Sequence, residues 1–376
     1  MRRFALTSKL VNAKENIRNI IAKSLGRERI MVGSKSRKGV SIMTPREKVR
    51  RAILQRQEDA DVPWQVNYTS VYKDLYEESH PGKDLDVELE NHIYMVKYKK
   101  NRVLDTNTEV DLFGLKWDKS GEDGGDIGIP FDPPLADGDI DKYKFPEVNE
   151  KFALEQVRNL ENETNGLFRM FGLTFMLYER AWGLRGMESL LADMLLNPGF
   201  VHELMQRIVE HHHKLLDLIL PYDFDAVYLG DDWGSQRGLI MGAGLWREFI
   251  KPYLKELCQK VKDSGKIVVL HCCGNIEELL GELIDIGVDC YNTVQPEVYN
   301  LKKLKENYGR DLCFYGGISN QSFLPYATPD EVERKCLEVL DIMAGGGYIL
   351  SPTHSITPDI PLENAYAIVH AAKKFS

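Results

Sequence analysis

Ile267-Val268-Val269-Leu270 leads directly into His271-Cys272-Cys273-Gly274-Asn275. The first four residues are an apolar run of strand length, and a polar turn follows. Beyond the turn, Ile276, Leu279, Leu280, Leu283 and Ile284 recur at the helical period, with Asn275 placed to cap the helix and Gly287 to close it. Strand, polar turn and helix make one βα unit. Further apolar runs over 167–172, 226–229, 288–292, 312–315 and 347–350 alternate with helical patterns. This alternation predicts an α/β protein with a parallel sheet. The simplest closure is a (β/α)8 TIM-type barrel; an open doubly wound sheet is the alternative, but the glycine-rich phosphate turn it often uses is absent.

Outward from that stretch the pattern loosens. The N-terminal half offers one strand over 62–68, a hairpin over 110–117 and a Gly-, Asp- and Pro-rich loop over 120–141, long enough to suggest an active-site cover or a mobile segment. Thr44-Pro45-Arg46-Glu47 and Thr328-Pro329-Asp330-Glu331 both read as capping boxes that open helices. Pro252, inside the helical pattern that starts at Leu245, predicts a kink or a two-part helix. His211-His212-His213 falls mid-helix, where successive side chains fan apart, so a surface position is expected.

Charge divides the chain at Met43. Residues 1–42 hold 11 Lys or Arg against Glu15 and Glu28, and the rest holds 37 basic and 55 acidic residues, so a +9 arm precedes a −18 body. The arm is expected to be poorly ordered or dispensable, and residues 43–376 to form a single barrel domain with an irregular N-terminal part. An acidic body argues against a general nucleic-acid binder. No apolar stretch is long enough for a membrane span. All six cysteines lie between 258 and 336, unlike a disulfide framework spread through the chain, so free thiols and a cytoplasmic location are expected.

Parallel barrels do their chemistry beyond the C-terminal ends of the strands. There the sequence places Asp231-Asp232-Trp233-Gly234-Ser235-Gln236-Arg237, then His271-Cys272-Cys273, Gln295-Pro296-Glu297, Gly316-Gly317-Ile318-Ser319-Asn320 and Ser351-Pro352-Thr353-His354. In extended chain His271 and Cys273 point the same way and Cys272 points away, so an imidazole and a thiolate can meet on one ion. His354 is the nearest chemical match for a third ligand, giving a metal set of His271, Cys273 and His354. A buried histidine beside two small cysteines is the plainer reading of the same residues. Of the adjacent carboxylates Asp231 and Asp232, one can face the cavity as base, ligand or orienter of an imidazole. Arg237 can meet an anion or pair with those acids.

These segments, with Arg180-Ala181-Trp182-Gly183-Leu184-Arg185-Gly186 and Pro358-Asp359-Ile360-Pro361-Leu362-Glu363-Asn364, resemble the uroporphyrinogen decarboxylase superfamily from about Phe168 onward and, more weakly, from Met43 to Pro146. The resemblance implies a TIM barrel and one of two chemistries. True uroporphyrinogen decarboxylases meet a polycarboxylate tetrapyrrole with first-strand arginines and need no metal; here that segment reads Val62-Pro63-Trp64-Gln65-Val66-Asn67-Tyr68, without arginine. The other branch, similar to methylcobalamin:coenzyme M methyltransferases, holds zinc with a His-x-Cys pair and a distant Cys. His271 and Cys273 match the pair, and histidine stands in the distant segment.

The expectation is therefore a zinc-dependent methyltransferase that works with a corrinoid (cobalamin) supplied by a partner protein on a small thiol, methoxylated or methylated substrate. Asp231, Asp232 and His271 are its candidate catalytic residues, and Asn67, Tyr68, Gln236, Arg237, Gln295 and Glu297 its candidate substrate contacts. A metal-free carboxy-lyase and a non-catalytic corrinoid or tetrapyrrole binder are the alternatives. A homodimer is the expected assembly.

Overall fold

The computed structural model describes residues 43–55, 61–121, 128–163 and 165–376. The expectation for the arm before Met43 lies outside the described residues. Thirteen strands are found among the described residues. Seven form one parallel sheet in the order β1 (Ile93–Lys97), β6 (Phe168–Leu173), β7 (Ala226–Gly230), β10 (Ile267–His271), β11 (Cys290–Val294), β12 (Cys313–Ile318) and β13 (Tyr348–Pro352). Helices join them, as the period change in the sequence demands. Four short strands, β2 (Arg102–Asp105), β3 (Thr108–Val110), β4 (Lys116–Asp118) and β5 (Ile129–Phe131), make an antiparallel sheet, and β8 (Gly234–Ser235) pairs with β9 (Gly238–Leu239).

The eighth barrel position is filled by residues 62–68. On one side Gln65 N donates to Leu350 O at 3.0 Å and Leu350 N to Pro63 O at 2.9 Å. On the β1 side, side chains replace most of a backbone ladder: Ile93 N donates to Gln65 Oε1, Val66 N to Asn91 Oδ1 and Trp64 N to His92 Nδ1. Pro63 has no N–H to offer, and these amides satisfy the groups a regular strand would have paired. The barrel therefore closes, through a segment whose strand character is partial.

Alternate residues point inward, and their identity fills the barrel from below. Ile267 and Val269, Ala226 and Tyr228, Phe168 and Met170, and Cys313 and Tyr315 form the interior cluster. Val49 and Ile53, from the helix Pro45–Leu54, join it as a plug. Continuing that period, His271 is the next inward residue of β10, so packing below and chemistry above share one strand parity.

Both capping boxes are present, at Thr44 and at Thr328. Pro252 divides its segment into the helices Gly242–Phe249 and Lys251–Asp263, with the break at Ile250. The expected hairpin appears as β3 paired with β4. Strand β1 gave no signal in the sequence reading, because Tyr94, Lys97 and Tyr98 interrupt its apolar run. Part of the 120–141 loop, residues 122–127, lies outside the described residues. Its later half is pinned, with Leu135 N on Leu184 O at 2.8 Å and Arg185 Nη1 on Ala136 O at 2.6 Å.

One expectation is overturned. His211 and His212 are buried, at 4% and 5% exposure, not on the surface. The helix Pro198–Ile219 packs against the body over a wide face, and His211 Nδ1 and His212 Nε2 satisfy the carbonyls of Pro146 and Met176 at 3.0 and 2.8 Å.

Candidate metal centre and substrate cavity

The loops that follow β7 and β10 touch back to back at two glycines. A Cβ on Gly234 would stand 2.4 Å from Cys273 O, and one on Gly274, which has φ +77°, would stand 2.4 Å from Gly234 C. Only glycine permits this approach. Its consequence is that Asp232 reaches β10, where its Oδ1 accepts from Cys273 N at 2.7 Å.

Ligand atoms of Asp232, His271 and Cys273 consequently lie within 4.8 Å of one another. Cys273 Sγ is 3.5 Å, and Asp232 Oδ1 3.7 Å, from His271 Nε2. The imidazole is oriented from behind. Its Nδ1 bonds Asn292 Oδ1 at 2.6 Å, while Asn292 Nδ2 donates to Tyr315 O at 3.2 Å. Because the amide nitrogen is committed to a carbonyl, its oxygen must accept, so Nδ1 carries the proton and the Nε2 lone pair faces the cavity. Tyr228 OH donates to the same Asn292 oxygen at 3.2 Å, and its ring stacks on His271.

The electrostatics around this set run in one direction. Burial pushes the Cys273 thiol up, and Asp232 and Glu179 add to the shift. Burial also raises Glu179 well above the carboxylate range, with Asp232 and Asp231 contributing. Three acids and a thiol crowd a site that would be relieved by a cation. One imidazole nitrogen, one thiolate and one carboxylate form a donor set suited to zinc, and these residues fit it.

Asp231 and Asp232 have opposite fates. Asp231 turns away from the cavity and accepts from the amides of Leu177, Tyr178 and Glu179 and from Trp233 Nε1. It closes the N-terminus of the helix Tyr178–Arg185, where burial holds its carboxyl up at about 6. Cys272 points away as its parity required, with Sγ accepting from Trp233 N at 3.1 Å. His354 sits on the exposed rim, its ring 6.3 Å from that of His271, and it lies outside the compact donor set.

A cavity of about 530 Å³ opens over Asp232 and His271 of the donor set. Asn67 and Tyr68 line it, as does His354. The other four candidate substrate contacts do not. Gln236 and Arg237 occupy the exposed β8–β9 turn. Gln295 is buried and its Oε1 accepts from Gly274 N at 2.6 Å, while Glu297 accepts from the hydroxyls of Ser319 and Ser322. Position beyond a strand end thus gave structural residues there, because the polar turn needed partners of its own. Lining residues that the sequence reading did not single out are Glu179, Tyr228 and Asn292. Tyr228 and Asn292 lie inside strands, two residues below the ends of β7 and β11, and carrying the inward parity of His271 onto neighbouring strands would have found both.

A parallel α/β barrel with a His-x-Cys pair and a carboxylate at its C-terminal mouth defines the class of molecule. The chain belongs to the uroporphyrinogen decarboxylase (URO-D) family, whose profile matches residues 112–375. It is 23% identical to the uroporphyrinogen decarboxylase of Chlorobaculum tepidum over 263 residues, covering 66% of this chain and 73% of that protein. It is 22% identical to the methylated-thiol–coenzyme M methyltransferase of Methanosarcina mazei over 275 residues, covering 72% of this chain and 71% of that protein. Among solved structures, a methyltransferase from Methanosarcina mazei superposes with a TM-score of 0.69 at 18% identity, over 88% of this chain and 99% of that one, which supports the fold.

Proposed function

We propose that this protein is a zinc-dependent methyltransferase, acting in the cytoplasm, that moves a methyl group between a corrinoid held by a separate protein and a small thiol, methoxylated or methylated substrate. The observation that carries the proposal is the convergence of His271, Cys273 and Asp232 within 4.8 Å at the barrel mouth. With Asp232 as third ligand the set has two anions and one imidazole, the same charge as the His and two Cys that the methyltransferase resemblance implies. His354 on the rim is then a neighbour of the centre and a candidate further ligand.

Zinc held there supplies Lewis acidity to a thiol or oxygen group of the substrate. The protein's own groups do the rest. Asn292 keeps the His271 proton on Nδ1, and Tyr228 buttresses the ring. Asn67 and Tyr68 border the substrate, and the proton that burial holds on Glu179 is available to a departing oxygen or sulfur.

A metal-free carboxy-lyase is the second reading, favoured by the 23% identity to a uroporphyrinogen decarboxylase. Against it, Lys97, Lys99, Lys100 and Arg180 in the cavity lining stand beside the carboxylates Asp86, Asp111 and Asp232 and the protonated Glu179. At most one uncompensated positive charge is left, too little to meet a polycarboxylate. The deciding measurement is metal content of the purified full chain after zinc-replete expression, alongside methyl transfer from methylcobalamin to thiols. One zinc per chain is expected in wild type and none in the His271→Ala/Cys273→Ser double variant. A zinc-free wild-type protein would sink the proposal.

A further inference from the structure

The cavity extends well past the donor set, and its far end is built from polar side chains whose hydrogen bonding is incomplete. Trp117, Arg180, His211 and His212 are each more than nine-tenths buried and line this cavity, as does Asn101. Trp117 Nε1, Arg180 Nε, His211 Nε2, His212 Nδ1 and Asn101 Oδ1 are shielded and without a partner. Five of the eleven such atoms among the described residues thus belong to the walls of one cavity, where a rearrangement onto a polar ligand would relieve them.

Their chemistry specifies the ligand. His211 Nδ1 and His212 Nε2 face carbonyl oxygens and so donate, which leaves His211 Nε2 and His212 Nδ1 as acceptors. Trp117 and Arg180 offer N–H donors. Arg180 is already paired with Asp111 at 2.5 Å, so its charge is compensated and it does not call for a carboxylate. A hydroxyl is a compact group that both donates and accepts without charge. The walls are aromatic: the Arg180 guanidinium lies 4.2 Å from the Phe113 ring centroid, His211 packs edge-on to Phe113 at 4.9 Å, and Trp117 meets Phe175 edge to face at 4.8 Å. Phe175 is held at φ +54°, an unfavourable backbone region for a bulky residue that places its ring in this wall.

We propose that this end of the cavity binds the hydroxyl-bearing ring of an aromatic substrate, with Trp117 and Arg180 donating to the hydroxyl oxygen and His211 accepting its proton. The inference rests on reading the cavity as the substrate site, and it names the class of substrate. It is tested by equilibrium binding of 4-fluorophenol to the full chain, followed by fluorine NMR, against 4-fluorotoluene and 4-fluorobenzoate. Binding of 4-fluorophenol at least tenfold tighter than either comparator is expected, with that preference lost in Trp117→Phe and in His211→Leu. Trp117→Phe keeps the ring and guards against misfolding of the histidine variant. Equal binding of the three probes, or an undiminished preference in a folded Trp117→Phe, overturns the inference. The measurement is made on chelator-treated protein, so zinc uptake without a phenol preference defeats only this inference, and phenol preference without zinc uptake defeats only the methyltransferase reading.

Discussion

The two ends of the barrel both bury ionisable groups, and they treat them in opposite ways. At the N-terminal end the fully buried Asp225 carboxylate accepts from Arg46 Nε at 2.9 Å, Arg50 Nη1 at 3.0 Å and Arg169 N at 3.0 Å. Its neighbour Asp223 bonds Arg169 at 2.7 Å, and that hydrogen bond holds the Asp223 carboxyl below its usual range. At the C-terminal end, Glu179, Asp231 and Cys273 are all pushed up by burial, and Asp232 pushes Glu179 and Cys273 further the same way. Charges at the bottom are completed within the chain and anchor the plugging helix Pro45–Leu54. Glu179 and Cys273 at the top are instead held toward their protonated forms, a condition that a bound cation reverses.

The largest effect should come from breaking the completed end. Asp225→Ala leaves Arg46 and Arg50 without their buried partner and removes an acceptor from the buried Arg169 amide, so a loss of about 2–3 kcal/mol is expected in urea unfolding. A loss below about 1 kcal/mol would mean that the bottom network is decorative and that the contrast between the ends fails. At the open end, Asn292→Ala frees the His271 ring and its tautomer without touching a ligand atom. Zinc affinity, measured by competition with a chelator, should fall by about 10–100-fold. Unchanged affinity would show that Asn292 does not set the lone pair that faces the cavity.

The same contrast explains what could be read from the amino-acid sequence. The run from Ile267 to Asn275 foretold strand, turn and helix, because apolar periodicity directly records burial. It also foretold that His271 and Cys273 share a side, because strand parity is local. The third member of the donor set was not legible. Asp232 joins through the Gly234–Gly274 crossing, a contact between loops forty residues apart, and nothing local distinguishes it from Asp231. Helix position alone misplaced His211 and His212 on the surface, since the partners that bury them, the Pro146 and Met176 carbonyls, are remote in sequence. Strand β1 was missed because Tyr94 and Lys97, which line the polar cavity, interrupt its apolar run.

A pH series sharpens the comparison at the seam between residues 62–68 and β1. His92 accepts from Trp64 N and lies 3.9 Å from the Trp64 ring. Burial lowers its pKa from 6.5 to about 3, with Lys48 and Lys373 acting in the same sense and Asp61 against them. The neutral ring therefore contributes stability above the unfolded value of 6.5, and that contribution is lost as pH falls toward 3. Between pH 7 and pH 5 the expected loss is about 1–2 kcal/mol from this group. Urea midpoints should show His92→Gln losing less over that interval than wild type, and parallel losses would remove His92 from the account.

The smallest effect is expected where position beyond a strand end proved a poor guide. Gln236 and Arg237 sit on the exposed β8–β9 turn, and the turn is held by backbone groups and Ser235, whose Oγ accepts from Arg237 N at 3.2 Å and donates to Gly238 O at 2.8 Å. Neither side chain is needed for that geometry. Alanine at both positions should change stability by no more than about 0.5 kcal/mol and leave the KM for the small substrate unaltered. Asn67→Ala, which removes a cavity wall bonded to Tyr315 OH at 3.3 Å, should raise that KM. A rise in KM from Arg237→Ala that matched the one from Asn67→Ala would extend the substrate site out to the turn. A rise confined to the KM for the corrinoid protein would instead make the turn part of the surface on which that partner docks.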